Sequence, residues 1–230
     1  MQLVFTILLI GVLGAAVVSI AVLGIRQHLR ASALARRAHE LSLHFAPEDS
    51  FDVPRRYAGY AMLGGGHSPR ADNATYGRMR GLPVRAFDFR YEVGHGTRRL
   101  TRSYSVIVVE TEAVLSPLLM WNDRDADNAP IGSRLGDGQC LGWTYRGSAE
   151  AAEKVAECCG HIAGSGLSVQ FRAGAMMFCF PIRRRRDSYV PWLAEVPGLI
   201  DCLELAAPPH ESRRGGQNGH AQAVEMGSSP

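Results

Sequence analysis

Residues 84–110 read VRAFDFRYEVGHGTRRLTRSYSVIVVE. Two runs dense in β-branched and aromatic residues, Val84–Val93 and Leu100–Thr111, flank a glycine-bearing break, the pattern of a β-hairpin. The same stretch holds Asp88, Glu92 and His95 among arginines, residue types that also serve general acid–base chemistry. Register decides between the two readings. With Gly96 and Thr97 as a two-residue type II′ turn, Val93 faces Leu100, Tyr91 faces Arg102, Phe89 faces Tyr104 and Phe87 faces Val106. That face is apolar and carries aromatic pairs, which stabilise sheets. The other face sets Glu92 against Thr101, Arg90 against Ser103 and Asp88 against Ser105, then turns apolar at Ala86–Ile107 and Val84–Val109. A slip of one residue destroys both patterns. Asp88 and Glu92 thus fall on a solvated polar face with Arg90 between them, and His95 sits beside the turn. The hairpin accounts for each residue without catalysis.

Ahead of this unit the chain is of a different kind. Residues 3–25, LVFTILLIGVLGAAVVSIAVLGI, carry no charge. As a helix they measure about 34 Å, enough to cross a bilayer. The run is too long and its start too poor in basic residues for a cleaved signal peptide. Arg26, Arg30, Arg36 and Arg37 follow the run, and no charged side chain precedes it. Positive flanks stay cytoplasmic, so the expected topology is a single-pass cell-membrane protein, N-terminus outside and domain in the cytoplasm.

The expected organisation is a short outer N-terminus (1–2), the span (3–25), a helical juxtamembrane stalk (26–46), an α+β domain (47–207) and a disordered tail (208–230). The stalk is rich in Ala, Leu and Arg and lacks Gly and Pro until Pro47. Gly64–Gly66 and Pro69 read as a flexible connection. A short strand is expected over 74–79, turned by Gly81, Leu82 and Pro83 into the hairpin. Beyond it, LLMW (118–121) and QCLGWTYRG (139–147) read as strands and NDRDADNAPIGSRLGDG as a loop between them. Residues 148–164 read as a helix capped by Ser148, with Glu150 in the first turn and Ala152, Val155, Ala156, Cys159, Ile162 and Ala163 as its buried stripe. Gly164 is the expected stop. Strands at 167–172 and 175–180 and a last helix within 187–205 complete an antiparallel sheet packed by one or two helices.

Charge and cysteine content narrow the function. Net charge is +3, and Lys154 is the only lysine, so the arginines reflect composition more than a nucleic-acid face. No nucleic-acid partner is implied. Five cysteines, an odd number without a C-x-x-C pair, read as free thiols in a reducing compartment. Asp123, Asp125 and Asp127 begin an EF-hand spacing, but Asn128 replaces the turn glycine and Arg134 the bidentate glutamate. Cys158, Cys159 and His161 lie close in sequence, yet on a helix the two thiols point about 100° apart and the paired spacing of a zinc site is missing. GGGHSPR lacks the Gly-Lys-Ser/Thr of a phosphate loop, and His67 beside Ser68 is not triad geometry. No catalytic, cofactor or metal residue is assigned. The arginine run Arg183, Arg184, Arg185 and Arg186, with Arg26, Arg30, Arg36 and Arg37, forms the candidate contact with anionic lipid.

Gly77, Gly81, Val84, Phe87, Asp88, Phe89 and Tyr91 spell G-x(3)-G-x-x-V-x-x-F-D-[FY]-x-Y, with Gly94 and Gly96 behind. Over residues 57–111 this resembles the core of an uncharacterised family of bacterial single-span membrane-anchored proteins. The resemblance implies the anchor and the hairpin and carries over no catalytic residue. The expected function is a membrane-tethered, non-enzymatic binding or scaffold module, engaging the lipid bilayer and a protein partner. The alternative is a membrane-anchored hydrolase or metal-dependent enzyme, whose ionisable groups would meet in a cleft.

Overall fold

The computed structural model describes residues 2–113, 115–122, 136–162, 166–172, 174–182 and 189–205. The calcium-like spacing at Asp123, Asp125 and Asp127, the arginines 183–186, the stop at Gly164 and the tail 208–230 lie outside the described residues.

A single helix, α1 (Gln2–Glu40), joins the apolar run to the stalk without a break, and is long and apolar enough to cross a membrane. It ends before residue 46: Leu41 to Leu43 turn, and β1 (His44–Glu48) follows, so the last residues of the expected stalk belong to the sheet. Then come α2 (Val53–Arg56), β2 (His67–Met79), β3 (Leu82–Val93) and β4 (Leu100–Glu110). The remaining elements are β5 (Leu118–Asn122), β6 (Gly138–Cys140), β7 (Trp143–Gly147), α3 (Ala149–Cys159), β8 (Ser168–Arg172), β9 (Ala175–Pro181), α4 (Val190–Leu193) and α5 (Val196–Cys202). The nine strands among the described residues form one antiparallel sheet in the order β1-β2-β3-β4-β9-β8-β5-β7-β6.

The β3–β4 ladder runs from Val84↔Val109 to Val93↔Leu100 in the register expected from the two-faced pattern. Its turn differs. Gly96–Arg98 form a short 3₁₀ turn inside a longer connection, and Gly94 carries a φ of 82°. A side chain at Gly94 would lie 2.4 Å from the Arg98 carbonyl oxygen, so glycine is required by both conformation and space. The β2–β3 turn is Arg80–Gly81, both with positive φ as a type I′ turn demands; Leu82 and Pro83 are already strand. β2 starts at His67, seven residues before the expected strand. Its sequence hides this because the ladder to β3 breaks between His67 and Arg70 and again between Asp72 and Thr75. These bulges take up Ser68, Pro69 and Asn73, residues a regular ladder disfavours. QCLGWTYRG is likewise two strands, β6 and β7, hinged at Leu141–Gly142.

Alternation along β3 and β4 feeds two buried clusters. Phe87, Phe89, Tyr91, Tyr104, Val106 and Val108 join Val53, Tyr57, Tyr60, Met62 and Leu63. Val84, Ala86, Ile107 and Val109 share the other cluster with Leu34 and Ala38 of α1, the α3 stripe Ala152, Val155, Ala156 and Cys159, and Leu199 and Ile200 of α5. Ser148 caps α3 by accepting from the Ala151 amide at 3.2 Å, and Gly160 is its C-cap. The expected last helix is the pair α4 and α5, each with proline in its first turn, where a missing amide hydrogen costs nothing.

Candidate functional site

The acidic residues singled out in the hairpin do not converge. Asp88 is not solvated: its side chain is 13% exposed because α1 crosses the polar end of that face. Arg30 Nη2 lies 2.8 Å from its Oδ2, Asn73 Nδ2 donates to Oδ2 at 3.0 Å, and Ser105 Oγ donates to Oδ1 at 3.1 Å. Burial nevertheless pushes the Asp88 carboxyl above its ordinary range, with Arg30, Asn73 and Ser105 pulling the other way. Glu92 lies four residues on, roughly 13 Å along the strand, and pairs with Arg99 at 3.2 Å. The His67 ring stacks on His95 with centroids 5.2 Å apart and planes 5° apart.

The arginines expected to meet lipid divide. Arg30 turns toward the sheet and Asp88, which removes it from the lipid-facing set. Arg37 pairs with Glu40 at 2.5 Å, one turn along the helix, and Arg36 is exposed. Arg26 is on α1, and Arg183–Arg186 fall outside the described residues.

The cysteine expectation is corrected in part. Cys158 is bonded to Cys202, from α5, with Cα atoms 6.0 Å apart. No local spacing announces this bond, because Cys202 is distant in sequence and is brought near by the packing of α3 and α5. Cys140, Cys159 and Cys179 are free. Burial raises the Cys159 thiol to about 12 and pushes Cys179 up as well, so neither is a nucleophile at neutral pH. His161 faces Glu195 at 3.6 Å. Among the described residues no three His, Cys, Asp or Glu side chains gather as a metal site would.

Sequence reasoning did not single out the cavity, of about 800 Å³, at the other end of the sheet. It opens beside the β2–β3 turn and is lined by Arg56, Tyr57, Tyr60, Arg78, Arg80 and Glu110, among others. Glu110 is its hub. It accepts from Arg85, from Arg56 at 3.0 Å and from the Tyr57 hydroxyl at 3.3 Å. The Tyr60 hydroxyl donates to the Arg172 carbonyl oxygen at 2.6 Å, and burial raises its pKa to about 12, so it stays neutral. Arg80 pairs with Asp201 at 3.2 Å, and Arg78 donates to the Gly81 carbonyl oxygen at 2.5 Å. Glu110 thus holds two guanidiniums at the cavity wall, with the Tyr57 and Tyr60 side chains beside them. The residues come from four separate segments, so no linear motif announces the cavity.

No protein-family model matches the sequence, and no curated protein matches it. The fold is similar to that in the crystal structure of the mycobacterial trehalose monomycolate transport factor A, TtfA. The match has a TM-score of 0.50 and 15% identity, and covers 77% of this chain and 96% of that one.

Proposed function

We propose that this protein is a membrane-tethered, non-enzymatic binding or scaffold module whose helix-backed sheet is held beside the bilayer, and that it takes part in transport, as the name of the structurally similar transport factor states for that protein. The observation that carries the reading is the joint between Arg30 and Asp88, which fastens a helix long enough to span a bilayer to a central strand. An anchor so fastened presents a rigid surface at high effective concentration to partners in the same membrane. The enzyme alternative needs ionisable groups meeting in one cleft; His67 stands opposite Glu92 in the β2–β3 ladder and stacks on His95, whereas Asp88 lies four strand residues away, bound to Arg30. The cavity around Glu110 is the proposed partner site, and Arg26 and Arg36 the proposed lipid contacts beside the span.

Photo-crosslinking in native membranes tests the partner site. A benzophenone side chain replacing Arg78 at the cavity rim is expected to give a discrete adduct with a membrane protein, and one replacing Glu150 on α3 to give none. Equal, diffuse labelling from both positions would sink the proposal.

The flanking arginines support a cytoplasmic domain. The Cys158–Cys202 bond favours the second reading, an outward-facing domain in an oxidising compartment. A membrane-impermeant maleimide on Leu141→Cys, a position 71% exposed, separates the two. Protection in intact cells supports the cytoplasmic domain; labelling supports the outward one.

A further inference from the structure

The direction of α1 against the sheet fixes which end of the domain faces the bilayer. Arg30 sits at the level of Asp88 in β3. Leu43, just past the helix, packs on Gly77 of β2, whose partner in β3 is Val84. Between these two points the chain moves four strand residues, about 13 Å. The helical residues from Arg30 to Glu40 measure about 15 Å. The helix therefore lies nearly along β3 and runs opposite to it. Followed back from Arg30 to Ile25, the end of the apolar run, it rises about 7 Å in the direction in which β3 leaves Asp88. β3 itself continues from Asp88 to Val93, about 17 Å. Allowing for the reach of the Arg30 side chain, the β3–β4 connection comes to the level at which the apolar run ends and the headgroup layer begins. The cavity around Glu110 lies at the opposite end, beside the β2–β3 turn.

That near end has the chemistry of a lipid contact. Residues 67–71 and 89–104 hold Arg70, Arg90, Arg98, Arg99 and Arg102 against one acid, Glu92. Glu92 pairs with Arg99, and Arg90 pairs with Asp72. Arg98 is exposed, and Leu100, two residues on, is 61% exposed; Arg70, also exposed, stands opposite Arg90, further in along the sheet. An apolar side chain at a tip ringed by arginine suits an interface where the aliphatic part enters the acyl boundary and the guanidinium meets phosphate.

We propose that the β3–β4 tip, residues 94–100 with Arg70 further in along the sheet, is a second membrane contact that docks on anionic lipid headgroups. It holds the domain upright, with the Glu110 cavity turned away from the bilayer. The inference rests on the reading that α1 spans the membrane.

The test uses the full-length protein in vesicles of phosphatidylcholine with or without phosphatidylglycerol. An environment-sensitive fluorophore is placed at Leu100→Cys in a Cys140→Ser background, and its quenching by headgroup-level spin-labelled lipid is read. Arg78→Cys reports the far end, and Ala16→Cys, about 13 Å inside the end of the apolar run and read with lipid spin-labelled in the acyl chain, reports the anchor. The expected result is quenching at positions 100 and 16 in anionic vesicles, with position 78 unquenched. Each arginine near an anionic surface strengthens docking about fivefold, so Arg70→Gln/Arg98→Gln weakens it by about 30-fold and returns position 100 to the level of position 78. Four outcomes overturn the proposal. Position 100 stays unquenched while position 16 is quenched. Quenching is equal in phosphatidylcholine alone, which removes the anionic recognition. Position 100 is shielded in native membranes but not in vesicles, which assigns the tip to a protein. Position 16 is unquenched, which removes the anchor itself.

Discussion

Arg30, on the helix that leaves the apolar run, places its Nη2 atom 2.8 Å from Oδ2 of Asp88 in the middle of β3. The pair is largely buried, with side chains 27% and 13% exposed. Arg30→Leu removes the counter-charge and leaves a buried carboxylate, at a cost of about 3 kcal/mol at pH 7. Burial already raises the Asp88 pKa, so the folded state holds that proton more tightly than the unfolded chain. Its contribution to stability is full below the ordinary aspartate pKa and is lost as pH rises through the raised value. The deficit of Arg30→Leu therefore shrinks on acidification from pH 7 to pH 3, and Arg30→Leu/Asp88→Asn is less destabilised than Arg30→Leu at pH 7. Urea unfolding in detergent across that range reads both; a deficit that grows in acid refutes the account.

Tyr189 is fully buried, and its hydroxyl meets Thr75 Oγ1 at 2.8 Å and the Asn73 carbonyl oxygen at 2.5 Å. Asn73 sits in the β2 bulge with a φ of 54° and gives its side-chain amide to Asp88. Tyr189→Phe strands the buried Thr75 hydroxyl and is expected to cost about 1–3 kcal/mol. Thr75→Val in the same background should recover part of that loss, because both polar partners are then gone. Thermal melts of the single and double variants measure the coupling.

The Cys158–Cys202 bond closes a loop of 44 residues in sequence separation. Chain-entropy arithmetic puts its contribution at about 4 kcal/mol. Cys202→Ser should lower the unfolding midpoint in oxidising buffer and leave it nearly unchanged from wild type in reductant. Native maleimide labelling at pH 8 should modify Cys140 and spare Cys159 and Cys179. Equal midpoints with and without reductant in the wild type would remove the bond from the account.

Glu110 anchors Arg85, whose side chain is 18% exposed, and Arg56, which is 46% exposed. Glu110→Gln unpairs the more buried guanidinium and should cost about 1–2 kcal/mol. Arg56→Ala should cost under about 1 kcal/mol, as exposed pairs do. If the cavity is the partner site, both substitutions weaken crosslinking from the rim at position 78; crosslinking unchanged in both excludes it.

The hairpin register was readable because β3 and β4 carry two different faces, and a slip of one residue would expose one of them. The α3 cap and stripe were readable for a similar local reason: Ser148 and the apolar spacing act within one helix. The early start of β2 was hidden, since Ser68, Pro69 and Asn73 look like a loop until bulges fit them into a ladder. The Glu110 cavity was hidden because its walls come from segments far apart along the chain.

The sequence by itself determined the elements whose signal is periodic and local: the uncharged helix, the two-faced hairpin and the capped α3. Tertiary structure alone decided how they meet. Asp88 reads as a solvated residue of a polar face, and it is buried because α1 returns across that face and brings Arg30 to it. Cys158 reads as a free thiol beside Cys159, and it is bonded because α5 lies against α3. In both cases the partner's position depends on packing between elements that share no local pattern, and no spacing within either segment encodes it.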